Sequence, residues 1–320
     1  MKKNRKLIIN GVLAVAVYVL VMVLVNTGML TRQLMSLIIP CCTYTMLAVS
    51  LSLVVGFLGE LSLGHAAFLS IGAYAGALVL KLELPIWIGL PAALLVGGAA
   101  AGILGVIIGM PVLRLRGDYL AIVTLGFGEI IKSVFNAMTP ITGGAKGLSQ
   151  IPLVTTYRNF TPVYILTVLT ILVVAHLVNS RHGRAVCAIR DNYIAAEAVG
   201  IPVSRYKILA FVVAAVLAGM AGVVYAGNIG ILKPTNFDYN TSIEILVMVV
   251  LGGMGNIGGT VAAALILRIL PELLRNVSNY RMLIYAIALI AMMLFNNSSF
   301  KRTLVEKRNL RQAEKIQKEG

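Results

Sequence analysis

The side chains in this sequence that could do chemistry are few and scattered. The only histidines and cysteines are His65, His176, His182, Cys41, Cys42 and Cys187. They lack the H-E-x-x-H or paired-cysteine spacing of a zinc site and offer no disulfide framework. The sequence contains no G-x-x-x-x-G-K-[ST] phosphate loop, no Ser/His/Asp arrangement and no assignable pair of catalytic carboxylates. We therefore expect a chain that is not an enzyme, binds no metal and holds no cofactor of its own.

Two other features could form a polar path through an apolar protein. Glu129 and Lys132 stand three residues apart, so on a helix they share one face and can neutralise each other or lie beside such a path. Glycines are dense at 56–76 and again at 252–259. They permit either close helix packing or broken helices of the kind that line transport paths, and the sequence leaves both interpretations open.

The composition excludes a soluble chain. Hydrophobic residues make up 59% of the 320 residues and charged residues only 12%, and the mean hydropathy is +0.91. Soluble domains carry about 25% charged residues, so this chain cannot cover a soluble surface. Apolar runs of about 20 residues recur, which is the length that crosses a bilayer as a helix. The sequence predicts an all-α polytopic membrane protein in contact with lipid.

The apolar runs predict eight full transmembrane helices: 7–25, 34–58, 61–80, 86–113, 119–138, 163–179, 208–226 and 282–295. Residues 243–270 are long enough to cross once more, but the glycines at 252–259 disfavour a continuous helix. An even number of crossings keeps both basic termini on one side, so we expect this segment to be a broken, re-entrant pair of half-helices. Residues 1–300 then form the membrane domain and 301–320 a basic cytoplasmic tail.

The net charge of +15 reflects residues at the ends of spans rather than a nucleic-acid surface. Basic residues cluster in the N-terminal tail, at Arg114 and Arg116, in 180–207 and in 301–320, which predicts that these segments and both termini are cytoplasmic. The basic residues assigned to the outside are Arg32, Lys81, Lys146, Arg158, Lys233, Arg268, Arg275 and Arg281. We predict no nucleic-acid partner.

The loop 180–207 is the longest one assigned to the cytoplasm. Within this loop, the helix-capping residues Asp191 and Asn192 are followed by the helix-ending residues Gly200 and Pro202. This pattern predicts a short helix between them. Ile194, Ala198 and Ile201 fall on one face of it. That face either packs on the bundle or is presented to a cytoplasmic partner.

Four stretches resemble the branched-chain amino-acid ABC-importer permeases (the LivH/LivM family, and within it the LivM type). They are LSLGHAAF with IGAY at 61–74, RGDYLAIVTLGFGEII with TGG at 116–144, the loop 183–201, and LGGMGNIGG at 251–259. The resemblance implies a subunit of an importer in the bacterial inner membrane. A second permease of the LivH type, two ATPase subunits that use ATP, and an extracytoplasmic solute-binding protein would be its partners.

The resemblance also implies roles for individual residues. Residues 183–201 would be a rigid lever fitted to the ATPases, with coupling assigned to Arg190, Asp191, Ala195, Ala196, Glu197 and Gly200. Small and hydroxyl groups suit a path for a zwitterion with an apolar side chain, and the candidates are Ser62, Ser70, Thr124, Glu129 and Asn256. Lys146 and Arg158 are candidates for docking the binding protein.

The expected cargo is leucine, isoleucine and valine. The same kind of importer carrying urea, short amides or another small organic solute remains an alternative. An ion-coupled secondary transporter is a further one, although it would normally contain more ionisable groups within the membrane.

Overall fold

The computed structural model describes residues 2–27, 31–115 and 117–274, together with positions 286, 287 and 290. Contacts between Cα atoms divide the chain into a compact unit that ends at Arg268 and a second unit, 269–320, of which only a few residues are described. The described residues are helical with short connections, and the only β-pairing among them is an isolated bridge between Leu148 and Leu232. The tail predicted at 301–320, Arg116, Arg275 and Arg281 lie outside the described residues.

The helices differ in length. They are α1 (Lys2–Asn26), α2 (Arg32–Ser52, continued by a wider π-helical stretch Leu53–Leu58), α3 (His65–Leu80), α4 (Ile86–Val112), α5 (Asp118–Ala137), the single turn α6 (Thr139–Thr142), α7 (Phe160–Asn179), α8 (Arg181–Asp191), α9 (Tyr193–Ala198), α10 (Val203–Ile229), α11 (Tyr239–Gly252) and α12 (Ile257–Leu273).

The structure supports a polytopic membrane protein but not the full count of eight spans. Within the described residues, five helices are long and apolar enough to cross a membrane: Arg32–Leu58, Ile86–Val112, Asp118–Ala137, Tyr157–Asn179 and Val203–Ile229. The span predicted at 61–80 was wrong at its start, because α3 begins only at His65 and has 16 residues. The span predicted at 282–295 falls outside the described residues, apart from the three isolated positions.

Helices α3, α4 and α10 form the tightest part of the bundle, and small residues explain why. A Cβ atom on Gly72 would lie 2.1 Å from the carbonyl oxygen of Gly219, and one on Gly219 would lie 2.7 Å from that of Gly97. Three helix backbones therefore touch at one level, which only glycine allows. This contact confirms the close-packing interpretation for the end of the glycine-rich stretch at 56–76.

Contacts along these helices establish their directions. Gly72 and Gly76 of α3 lie against Gly219 and Val223 of α10, so α3 and α10 run in parallel. Gly109 of α4 meets Phe211, and Gly98 meets Met220, so α4 is antiparallel to α10. Because α10 follows α8 and α9 in the chain, its first residues and the last residues of α2, α4 and α7 lie on the same face of the bundle as these short helices.

The first turn of α3 lies inside the bundle rather than at this face. The offset between Gly72 and Gly219 puts His65 level with Val212, nine residues into α10, or about 13 Å from its start at 1.5 Å per residue. Residues 59–64 span this distance in a non-helical conformation. The sequence could not show this, because 61–64 is as apolar as the helix that follows.

Helices α11 and α12 form a hairpin around the break at 253–256. A Cβ on Gly252 would lie 2.4 Å from the Cα of Thr260, so the two helices cross immediately beside the turn. The predicted interruption of the helix at the glycines is therefore confirmed. Glu244 and Arg268, one on each arm, also lie within electrostatic range of each other, which indicates that the chain folds back on itself.

Candidate functional site

A cluster of buried polar groups surrounds the start of α3. The Ser50 hydroxyl and Nε2 of His65 are 2.7 Å apart, and Thr124 Oγ1 accepts a hydrogen bond of 3.0 Å from the Leu63 amide. The hydroxyl of Ser242 on α11 accepts a 3.1 Å hydrogen bond from the Ala66 amide. Side chains from α5 and α11 thus satisfy free amides at and just before a helix N-terminus in the middle of the bundle, and Ser50 of α2 binds the side chain of His65 there.

Two of the residues predicted to line a path belong to this cluster or adjoin it. Thr124 is one of its members, and Ser62, 2% exposed, immediately precedes the Leu63 amide that Thr124 binds. Ser70 is equally buried, but its hydroxyl donates to the Ala67 carbonyl of its own helix. The cluster is closed to solvent in this conformation.

The other two predicted path residues lie elsewhere. Glu129 is five residues beyond Thr124 on α5, and its carboxylate accepts a 3.1 Å hydrogen bond from Lys132. The predicted neutralisation of this pair is confirmed. Asn256 is exposed in the turn of the α11–α12 hairpin and does not belong to the buried cluster at the start of α3.

The short helix predicted between Asp191 and Gly200 is confirmed as α9, but the lever predicted at 183–201 is not one helix, because the backbone is extended at Asn192 and separates α8 from α9. The Asn192 side chain caps α9 by accepting hydrogen bonds from the amides of Ile194 and Ala195 at 3.0 and 3.1 Å. At the other end, Gly200 has a φ of +85° and the Ile201 amide donates to the Ala196 carbonyl. This is a Schellman ending, which favours glycine at position 200.

Helix α9 presents an apolar surface. Of the residues predicted to contact the ATPase, Ala196 is buried, whereas Ala195, Glu197 and Gly200 are exposed. Ile194 and Val199 are 62% and 77% exposed, so this short helix does not bury them against its own bundle. The sequence analysis did not identify Val199 as part of this apolar surface. The signal available in the sequence was an apolar residue between the end of the helix and a glycine.

Arg190 connects α8 to two other elements. Its guanidinium donates a 3.2 Å hydrogen bond to the Gly56 carbonyl at the end of α2 and pairs with Asp191 at 2.9 Å. Nη1 also lies beside Gly255 in the hairpin turn, 3.4 Å from where a Cβ would be. Of the predicted coupling residues, Arg190 therefore meets the end of α2 and the tip of the α11–α12 hairpin, and Asp191 pairs with Arg190.

A buried ion pair next to this contact was missed by the sequence analysis. Nζ of Lys207 on α10 binds a carboxylate oxygen of Glu60, and the two side chains are 7% and 12% exposed. Lys207 had been assigned only to the basic cytoplasmic loop. A carboxylate after an apolar span and a lysine before one were the available signals, but 147 residues separate them.

The face opposite α8 and α9 carries the predicted docking residues. Lys146 and Arg158 are exposed in the segment 143–159, which is held to the end of α10 by hydrogen bonds such as Leu148 to Leu232 at 2.8 Å. Arg268 had been assigned to this outer surface, and that was wrong. It lies within α12, with its guanidinium carbon 4.3 Å from the centre of the Tyr44 ring on α2.

Comparison with known proteins identifies the family. The profile of the family described as "Branched-chain amino acid transport system / permease component" matches residues 33–295. The chain is 38% identical over 284 residues to the high-affinity branched-chain amino acid transport system permease protein LivM of Salmonella typhimurium and to that of Escherichia coli. Each match covers 79% of this chain and 66% of the relative, so the chain spans slightly less than two thirds of their length.

A more distant relative is the ribose import permease protein RbsC of Haemophilus influenzae, 28% identical over 264 residues, which cover 78% of this chain and 80% of the relative. No solved structure matches the chain. The family profile covers most of the chain, including the start of α3, the contacts of Arg190 and the α11–α12 hairpin. The chain therefore belongs to the family of branched-chain amino acid transport permease components.

Proposed function

We propose that this chain is a permease subunit of a bacterial ABC importer and forms part of the translocation path for leucine, isoleucine and valine. The observation that supports this cargo is the 38% identity to two permeases named for branched-chain amino acid transport. The chain itself hydrolyses nothing. ATP is used by separate ATPase subunits, and the substrate arrives from an extracytoplasmic solute-binding protein.

The proposed assembly lies in the bacterial inner membrane and contains a second permease of the LivH type. Both termini are cytoplasmic, and so is the face that carries α8 and α9. Arg114, at the end of α4, and the basic residues of α8 lie on this face, in agreement with the positive-inside bias. Arg32 and Lys81 lie at the other ends of their helices.

ATP-driven movement enters the chain through α9. Its exposed Ile194 and Val199 fit an apolar groove on an ATPase subunit. The adjoining α8 transmits the displacement through Arg190 to the Gly56 carbonyl and the hairpin turn, and the Glu60–Lys207 pair holds α10 to the segment before α3. Binding energy at the ATPases thereby biases two arrangements of the membrane helices.

The buried cluster at the start of α3 is the proposed gate. Ser62 and Thr124 are closed to solvent here, and the α11–α12 hairpin closes the cluster from one side through Ser242. Withdrawal of the hairpin would free the Ala66 amide and expose hydroxyl groups to a passing solute. Such groups suit the polar backbone end of an amino acid, which the pore needs to pass but not to hold tightly.

Reconstitution tests this function. The chain is co-purified with a LivH-type permease, two ATPases and the binding protein, and ATP-dependent uptake of labelled leucine into proteoliposomes is measured. We expect uptake that requires ATP and all the subunits, and that excess isoleucine or valine, but not urea, reduces. Uptake driven by an ion gradient through this chain alone would contradict the proposal.

A second cargo is supported by a specific observation, the 28% identity to a permease named for ribose import. The family architecture is thus found in proteins named for different solutes. If the cargo is instead an uncharged small solute, such as urea or a short amide, that solute rather than leucine will be taken up in the same ATP-dependent assay, so the experiment distinguishes the two cargoes.

Docking of the binding protein is proposed at Lys146 and Arg158. Charge reversal, Arg158→Glu, should weaken the binding protein's affinity at low salt and make it less sensitive to salt, because the attraction between exposed charges that salt screens is removed. An unchanged affinity, measured by titrating the binding protein against ATPase stimulation, would contradict this assignment.

A further inference from the structure

Two opposite charges lie at the same level on the two arms of the α11–α12 hairpin. Glu244 precedes Gly252 by eight residues, and Arg268 follows Thr260, which Gly252 contacts, by eight residues. At 1.5 Å per residue both lie about 12 Å from the crossing point of the arms. The hairpin tip touches Arg190, so this level is inside the bundle rather than at the face that carries α8.

Arg268 has donors that the described residues do not use. Its guanidinium stacks on the ring of Tyr44, but stacking satisfies the face of the group and not its N–H bonds. Nε is buried and has no hydrogen-bond partner among the residues that the structure describes. A buried, unsatisfied donor is costly, and arginine is the side chain best suited to bind a carboxylate through two parallel hydrogen bonds.

Glu244 is an opposite charge on the other arm, yet no ion pair within 4 Å joins it to Arg268. The two are close enough to influence each other electrostatically, and Tyr44 and Tyr225 lie within range of both. Glu244 is also exposed on α11 in the isolated chain. A carboxylate at this depth that faced lipid would be expensive, so a polar path or a partner permease is its physical environment.

We infer that Glu244 and Arg268 form a recognition site for the zwitterionic end of an amino acid, with Arg268 binding the α-carboxylate and Glu244 the α-ammonium group. This inference rests on the proposed function and specifies how the path recognises its cargo. A net-neutral pair of separated charges matches a zwitterion. The same pair gives no comparable advantage to an uncharged solute such as urea.

The competing explanation is a structural pair that only neutralises two charges. Such a pair can be replaced on both sides at little cost, whereas removing one partner leaves the other uncompensated. A ligand site behaves differently, because the double replacement also removes both contacts to the zwitterion. The double variant Glu244→Gln/Arg268→Gln therefore separates the two explanations.

The test uses the complete reconstituted importer with leucine-loaded binding protein. Uptake of labelled leucine and stimulated ATPase activity are measured in parallel for the wild type, the double variant and the matched control Lys81→Gln/Glu83→Gln, which removes two exposed charges from the turn between α3 and α4. We expect the double variant to lose at least about tenfold in leucine uptake per ATP, as the loss of charged hydrogen bonds predicts. ATPase stimulation should stay within twofold, and the control should behave as the wild type.

Unchanged uptake by the double variant would overturn the inference. If the double variant does not assemble, Arg268→Lys replaces it: the charge is kept and the two-pronged contact is lost, so the KM for loaded binding protein or the uptake per ATP must still change. Equal uptake by Arg268→Lys and the wild type would overturn the inference as well. Failure of the wild-type importer to transport leucine would instead contradict the proposed function.

Discussion

The contact between Arg190 and the Gly56 carbonyl provides the most direct test of coupling. Replacement of Arg190 by alanine removes the 3.2 Å hydrogen bond from α8 to the end of α2 and the guanidinium that lies beside Gly255. The methyl group of an alanine at this position reaches neither α2 nor the hairpin turn. We expect α8 then to move without carrying the hairpin tip with it.

The magnitude follows from the geometry. A hydrogen bond from a charged group contributes about 1.5–3 kcal/mol, and the lower part of that range applies here because the Arg190 side chain is 38% exposed and also binds Asp191. A loss of about 1.5 kcal/mol changes an equilibrium roughly tenfold. Leucine uptake per ATP hydrolysed should fall by about that factor.

The assay is uptake of labelled leucine and ATP hydrolysis by the reconstituted importer, measured on the same vesicles. Arg184→Ala is the matched control, since Arg184 lies on the same helix and only reaches the nearby Asn179 carbonyl at 3.4 Å. The variant Gly59→Ala should disturb the same contact between Arg190 and the end of α2, because its Cβ would lie 2.6 Å from Cγ of Arg190 and displace that side chain. An unchanged ratio of uptake to hydrolysis in Arg190→Ala would refute the reasoning.

Three further predictions concern stability. Glu60→Gln or Lys207→Met alone should lower the stability of the purified protein by about 3–5 kcal/mol, with the double variant partly restored, as thermal unfolding in detergent would show. Gly72→Ala should destabilise the bundle by about 1–3 kcal/mol through overlap with α10, whereas Gly126→Ala, with nothing within 4 Å of the new Cβ, should be neutral or stabilising by up to about 1 kcal/mol; equal effects would contradict the packing argument. Burial alone would raise the pKa of Asp238, but hydrogen bonds from the residues of the first turn of α11 outweigh it and lower the pKa, so its stabilisation is complete above about pH 4 and is lost as the pH falls through the lowered pKa. Asp238→Asn should reduce this acid sensitivity, measured as the unfolding temperature from pH 3 to pH 7.

Helix positions could be predicted wherever an apolar run ends at a clear signal. The predicted 34–58, 86–113 and 119–138 differ from the observed helices by at most two residues at either end, because charged or glycine residues flank them. The interruption at 252–259 was equally visible, since five glycines in eight residues oppose a helix. Local composition is sufficient for decisions of this kind.

The site depended on contacts between distant parts of the chain, which local composition does not contain. Leu61 to Gly64 would continue a helix on hydrophobicity alone, but the helix begins at His65, and the Leu63 and Ala66 amides bind Thr124 and Ser242, 61 and 176 residues away from them. Arg268 looked like an outer basic residue because it follows an apolar run. The predicted fold-back of the segment does not say which helix the returning arm packs against, and no residue near Arg268 indicates its contact with the Tyr44 ring.

The α11–α12 hairpin connects the coupling surface with the interior of the bundle. Its tip lies against Arg190 and Gly56, one arm caps α3 through Ser242, and both arms carry the charges of Glu244 and Arg268. The two arms contact each other beside the turn, at Gly252 and Thr260, so we expect a displacement of the tip to move both arms and with them the cap on α3 and the separation of the two charges. One movement of the hairpin could then open the gate and release the cargo, which is the coupling that an importer driven from its cytoplasmic face requires.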